Sequence, residues 1–133
     1  MKEKNRFLYL DDVEKYDPSN AYVAFISSDI SNIKDLFKEY YKKLNFPGYF
    51  GHNWNALIDC LRDFEWMNQK RILIIHKALP NLNSNDLKNY IEVLDIVLRD
   101  LNSRGNDYEL VIIFPQSVKE IIDKIRSEFN KKA

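Results

Sequence analysis

The sequence is 133 residues long, one domain's worth, and its 45% hydrophobic and 30% charged composition describes a chain that buries a core, neither disordered nor membrane-embedded. Its 20 basic and 20 acidic residues cancel, so the global positive field of a nucleic-acid binder is missing and no direct nucleic-acid contact is expected. The single cysteine, Cys60, excludes an internal disulfide and a cysteine-based zinc cluster.

In chain order, Met1 to Arg6 is charged, and the apolar run that follows, Phe7 to Leu10, is too short for a signal peptide or a membrane span. A cytoplasmic location is therefore expected. Phe7 to Leu10 can serve as an extra edge strand, and Asp17-Pro18-Ser19-Asn20 reads as a turn into the first core strand, Ala21 to Ile26. A helix from about Ser31 to Leu44 carries Ile33, Leu36, Phe37, Tyr40 and Leu44 on one stripe, and Pro47 stops it. After a second, shorter helix comes the apolar run Arg71 to His76. A long helix from about Asn85 to Arg104 is then opened by Ser84 and closed by Gly105. Tyr108 to Phe114 is the third core strand. Beyond Pro115, Ser117 and Glu120 have capping-box spacing, and Val118, Ile121, Ile122, Ile125 and Phe129 mark a C-terminal helix. The order β-α-α-β-α-β predicts an α/β fold: a small three-stranded parallel sheet with right-handed crossovers, packed with helices, residues 1–133 forming a single domain.

The segment from Phe46 to Phe64 differs from the rest, because a loop holding two of the three glycines runs directly into the short helix. With Asn53 as N-cap, Trp54, Leu57, Ile58, Leu61 and Phe64 fall on one side and Asn55, Asp59, Arg62 and Asp63 on the other. Asp59 sits mid-face. Tyr49 and Phe50 are candidates for aromatic contact beside the tight backbone that Gly48 and Gly51 permit. Periodicity alone equally describes an ordinary amphipathic helix with a solvated carboxylate.

The run Pro47-Gly48-Tyr49-Phe50-Gly51-His52-Asn53-Trp54-Asn55-Ala56-Leu57-Ile58-Asp59-Cys60-Leu61 resembles the signature of the barstar family of ribonuclease inhibitors, and the likeness extends over about residues 21–114. The resemblance implies an intracellular inhibitor, or immunity protein, that blocks the active site of a small basic endoribonuclease of the barnase class in a 1:1 complex. It implies no enzymatic activity, no cofactor, no metal and no membrane, and a monomer when free. Carried over by position, Asp59 becomes the central anchor, with Tyr49, Phe50, Gly51, Asn53, Asn55 and Asp63 around it. Counting back from Gly105 gives Asp100 the place of a peripheral acidic contact. An active site that cleaves RNA is rich in Arg, Lys and His, so a fixed carboxylate there replaces substrate phosphate with charge-assisted hydrogen bonds.

The match has departures. Asn55 stands where the family's best-known member has a second aspartate, Ile58 and Phe64 replace tryptophans, and His52 replaces a glutamate. Local acidity persists from Asp86 to Glu109, which holds six acids and three bases. The main alternative is a protein-binding module of the same fold whose partner is another toxin or a protein that is not a ribonuclease. An enzyme built on Cys60 with His52 or His76 as base, and a metal site on His52 and Asp59, have the residue types but no supporting motif.

Overall fold

In the computed structural model, which describes residues 3–48 and 51–130, one parallel sheet is ordered β1-β4-β3-β2. Its strands are β1 (Arg6–Leu10), β2 (Ala21–Ile26), β3 (Arg71–His76) and β4 (Glu109–Pro115). The helices are α1 (Ile33–Lys43), α2 (Trp54–Leu61), α3 (Ser84–Arg104) and α4 (Lys119–Asn130), the last entered through a single 3-10 turn, Gln116–Val118. The sheet therefore has four strands where three were expected. The run at Phe7 to Leu10 forms an edge strand whose residues pair from Arg6 with Val111 to Leu10 with Pro115.

The order of strands explains which face the helices cover. From β2 to β3 to β4 the chain steps across the sheet in one direction, so right-handed crossovers put α1, α2 and α3 on the same face. There Ile72, Ile74, Leu110, Ile112 and Phe114 meet Leu36, Tyr40, Leu57, Leu61, Tyr90, Leu94 and, from α4, Ile122 in one core. From β1 to β2 the chain crosses the whole sheet in the reverse direction, and the same handedness sends residues 11–20 over the other face. That strap covers Leu73, Ile75, Val111 and Ile113 with Val13 and Tyr16. Tyr16 meets Phe25 edge-on at 5.7 Å, and the Arg71 Nη1 donates to the carbonyls of Asp17 and Ser19 at 3.1 and 2.6 Å. Both faces of β3 and β4 are thus dry, as their unbroken apolar runs require.

Side chains of three asparagines begin the first three helices. Asn32, Asn53 and Asn83 accept from the peptide N–H of Asp35, Ala56 and Asp86 at 2.9, 2.8 and 2.8 Å. The expected opener of α3, Ser84, lies one residue past the true cap, because it is Asn83 that has extended backbone and turns its amide back over the first turn. At the other end of α3, Gly105 has φ 79, a conformation that a side chain would strain, and its N–H closes on the Leu101 carbonyl at 2.9 Å.

The chain ends are integral to this packing. Buried Asn5 accepts from the Leu110 N–H at 2.9 Å and donates to the Asn102 and Asn106 side chains, both at 2.9 Å, fastening β1 to α3 and β4. Asp95 of α3 is 1% exposed and carries two guanidinium groups, Arg99 at 2.5 Å and Arg126 of α4 at 3.0 Å. Arg126 also lies over the Phe7 ring at 4.6 Å. A buried carboxylate is tolerable only with such pairing, so α4 supplies a counter-ion as well as an apolar face.

Candidate partner-binding site

The loop before α2 is shaped by residues in the left-handed region. Asn45 has φ 52 and His52 has φ 53, two residue types that accept this conformation more readily than most. Phe46 between them is buried in the core, and the His52 ring stacks on Tyr41 at 5.5 Å. Tyr49 and Phe50, the two aromatic candidates, lie outside the described residues. Gly51 is exposed, and Asn53 folds back on it: Asn53 Nδ2 donates to the Gly51 carbonyl at 3.2 Å. An added Cβ at Gly51 would come within 3.0 Å of that same nitrogen. The amide of Asn53 is therefore engaged at both ends, its oxygen as the cap of α2 and its nitrogen as the tie to the loop.

Helix α2 buries Leu57, Cys60 and Leu61, while Trp54 wedges between Phe37 at 4.9 Å and Tyr90 at 6.3 Å between ring centres. Its far end is held as firmly as its start. The Tyr108 hydroxyl donates to the Leu61 carbonyl at 2.9 Å, and Arg104 Nη2 donates to the Arg62 carbonyl at 3.0 Å. These bonds satisfy carbonyls that a helix terminus otherwise leaves open. The helix ends at Leu61, three residues short of the expected Phe64. Phe64 turns the chain with φ 51, unusual for so bulky a residue, and stays buried among Phe46, Trp66 and Tyr108 at 6.4, 5.4 and 5.5 Å. Strain of about 1–3 kcal/mol at such a residue is held in place by the ring cluster.

On this rigid support Asn55 and Asp59 are exposed one helical turn apart, with the Asp59 side chain 72% accessible. Asp63 is exposed too, but it lies past the end of the helix, in the turn before Phe64. Asp100, on α3, is drawn to Asp59 through an arginine: Arg62 reaches Asp59 Oδ1 at 3.2 Å and Asp100 Oδ2 at 3.4 Å. Arg104 binds the same Asp100 oxygen at 2.9 Å. The Arg104 hydrogen bond, helped by Arg62, holds the Asp100 carboxyl below its ordinary value.

Sequence reasoning placed Arg62 on the polar face without a role and did not single out Arg104. Their spacings, three residues from Asp59 and four from Asp100, are those of helical ion pairs and carried the signal. The acidity counted between Asp86 and Glu109 is largely cancelled in three dimensions. Arg126 reaches Asp95, Arg62 reaches Asp100, Lys70 lies 3.8 Å from Asp107, and Arg6 and Arg71 grip Glu109 at 2.8 and 2.9 Å.

The residues of the enzyme alternative are separately engaged. Burial, then Asp59 and Asp63, push the Cys60 thiol up to about 11, the reverse of an activated nucleophile. His76 is wholly buried between Tyr90 and the Ile113 carbonyl. Among the described residues no group of three or more His, Cys, Asp or Glu is placed to hold a metal ion, and no helix is long and apolar enough to cross a membrane.

A family model described as Barstar (barnase inhibitor) matches residues 21–116, from the first residue of β2 to the turn after β4. A search of curated proteins returns no match.

Proposed function

The chain belongs to the barstar family, and on that premise we propose that it is a cytoplasmic immunity protein that binds one small basic ribonuclease and blocks its active site. The family is described by inhibition of barnase, so a binding role without catalysis follows at the level of the family. One observation carries the finer reading: Asp59 is 72% accessible on the last turn of a helix whose two ends are tied by Asn53, Tyr108 and Arg104.

The physical step is substitution of one anion for another. A cleft that cleaves RNA stabilises phosphate with cationic side chains, and a carboxylate delivered to the same place takes up those charge-assisted bonds. Preorganisation decides the strength, because a helix already fixed loses little freedom on docking. In this proposal Gly51 and Asn55 flank Asp59 at the interface, Tyr49 and Phe50 add aromatic contact, and Asp63 and Asp100 belong to the rim. Asn53 lies beside them and also holds the loop. Residues 1–133 work as one domain, with β1, the strap and α4 completing the core about the matched segment.

Mixing the purified protein with ribonucleases of the barnase class and measuring residual RNA cleavage tests the proposal. Stoichiometric loss of cleavage is expected, and undiminished cleavage across such enzymes rejects it. A second reading keeps the surface and changes the partner to another toxin or a protein that is not a nuclease. It draws on the charge of the site: Asp59, Asp63 and Asp100 against Arg62 and Arg104 leave three negatives less two positives, a single net negative charge. A partner that is less cationic fits that balance.

A further inference from the structure

We propose that Arg62 determines partner specificity by filling, from within the chain, the cation position between Asp59 and Asp100. The inference rests on the reading of Asp59 as the centre of the interface and names what selects the partner there.

Three observations converge on Arg62. Its guanidinium spans two carboxylates on different helices, at 3.2 Å to Asp59 and 3.4 Å to Asp100, where an incoming basic side chain would otherwise sit. Its backbone is anchored, since Arg62 is the C-cap of α2, its N–H bonds the Ile58 carbonyl at 3.1 Å, and its own carbonyl is bound by Arg104. Its side chain remains 37% exposed, so the group stands at the surface and is open to a partner. Both bonds to the carboxylates are long for charge-assisted contacts, so the pair can be exchanged at little cost.

The consequence is a filter. A cationic group approaching Asp59 meets a like charge within one side-chain length, and a like charge at an interface costs more than an exposed ion pair returns. A partner that offers only cations must displace Arg62 or tolerate it. A partner that also presents an acceptor, a carboxylate or a backbone carbonyl, opposite Arg62 satisfies the guanidinium and frees Asp59 for its own cation. Arg104 is less suited to this task, because it holds Asp100 and the α2 carbonyl together at 2.9 and 3.0 Å and so supports the scaffold.

The test uses a nona-arginine peptide as a purely cationic probe and a barnase-class ribonuclease as the partner. Wild type, Arg62→Ala and Arg62→Gln are compared by amide chemical-shift titration with the peptide and by inhibition of the ribonuclease, with thermal melts confirming that each variant is folded. Both variants are expected to bind the peptide at least about fivefold more tightly than wild type, with the largest shifts at Asp59 and Asp100. Unchanged or weaker peptide binding in both variants overturns the specificity role. If the variants gain peptide affinity while neither they nor wild type inhibit the ribonuclease, the filter stands and the ribonuclease reading fails. If wild type inhibits the ribonuclease and the peptide result is negative, the ribonuclease reading stands and the filter fails.

Discussion

The Tyr90 hydroxyl of α3 lies 2.6 Å from Nε2 of His76 of β3, and both side chains are fully buried. Nδ1 of His76 faces the Ile113 carbonyl at 3.1 Å, and an oxygen that only accepts fixes the proton on Nδ1. Nε2 then accepts from Tyr90, and Tyr90 accepts from the Tyr40 hydroxyl 2.5 Å away. The chain of bonds is complete only while the imidazole is neutral. Burial pushes His76 down to about 3, against a partial rise from the Ile113 carbonyl. The unfolded chain takes up a proton near pH 6.5 and the folded one does not, so this group's stabilisation is whole above pH 6.5 and is lost as pH falls towards 3. Between pH 6.5 and 5, before carboxylates contribute, urea denaturation should show stability declining by up to about 1.4 kcal/mol per pH unit. Imidazole nitrogen shifts at pH 5 should still report a neutral ring protonated at Nδ1, and a charged ring in the native state would refute the assignment.

Tyr90→Phe removes the middle of that chain and leaves His76 Nε2 and the Tyr40 hydroxyl buried without it. Loss of about 1–3 kcal/mol in denaturant stability is expected. Because Tyr90 also stacks with Trp54, a lowered affinity for the partner should accompany it only through loosening of α2, detectable as faster amide exchange in Leu57 and Leu61.

Asp59→Ala should weaken inhibition by about 2 kcal/mol or more, whereas Asp63→Ala should cost less than about 1 kcal/mol. The two acids differ in position: one stands on a helix with fixed ends, the other beyond that helix in the turn before Phe64. Neither change should lower the melting temperature appreciably, since both side chains are exposed. Equal effects on binding would show the interface to be misplaced.

Asn53→Ala should destabilise the protein by about 1 kcal/mol through loss of the cap. It should also weaken inhibition, because the bond to the Gly51 carbonyl is lost along with any contact of Asn53 itself. Asn53→Asp, which keeps the capping oxygen and loses the donor, separates the two effects. Stability should be largely retained while inhibition falls.

Deleting residues 1–20 should abolish cooperative unfolding and produce strong binding of a hydrophobic dye. Leu73, Ile75, Val111 and Ile113 would lose the strap that covers them, and β4 would become an open edge. A soluble, cooperatively folded fragment would show that the matched segment is self-sufficient.

Most of the scaffold was legible because its signals are local. The strands Ala21–Ile26 and Arg71–His76 have the bounds expected from their apolar runs, and the stripe of α3 ends at Gly105. A choice between adjacent residues was harder: Asn83 and Ser84 have the same capping chemistry, and only backbone conformation separates them. Two features depend on distant contacts, and only the first was signalled, by the apolar run at Phe7 to Leu10. β1 is five residues that gain meaning only beside β4, and Phe64 departs from helical geometry because Phe46, Trp66 and Tyr108 receive its ring elsewhere. At the candidate site the exposed acid and its spacing to Arg62 were readable, but the link from Arg62 to Asp100 was not, since that reach crosses to another helix and no spacing encodes it.

The register that sets Arg6 beside Val111 has a temporal consequence. During translation the first strand leaves the ribosome long before its neighbour in the sheet, and the strap cannot lie down until that edge is in place. Assembly of the β1 side of the sheet is thus deferred until β4 has been made. A chain halted before β4 is made would leave β1 without the strand it pairs with.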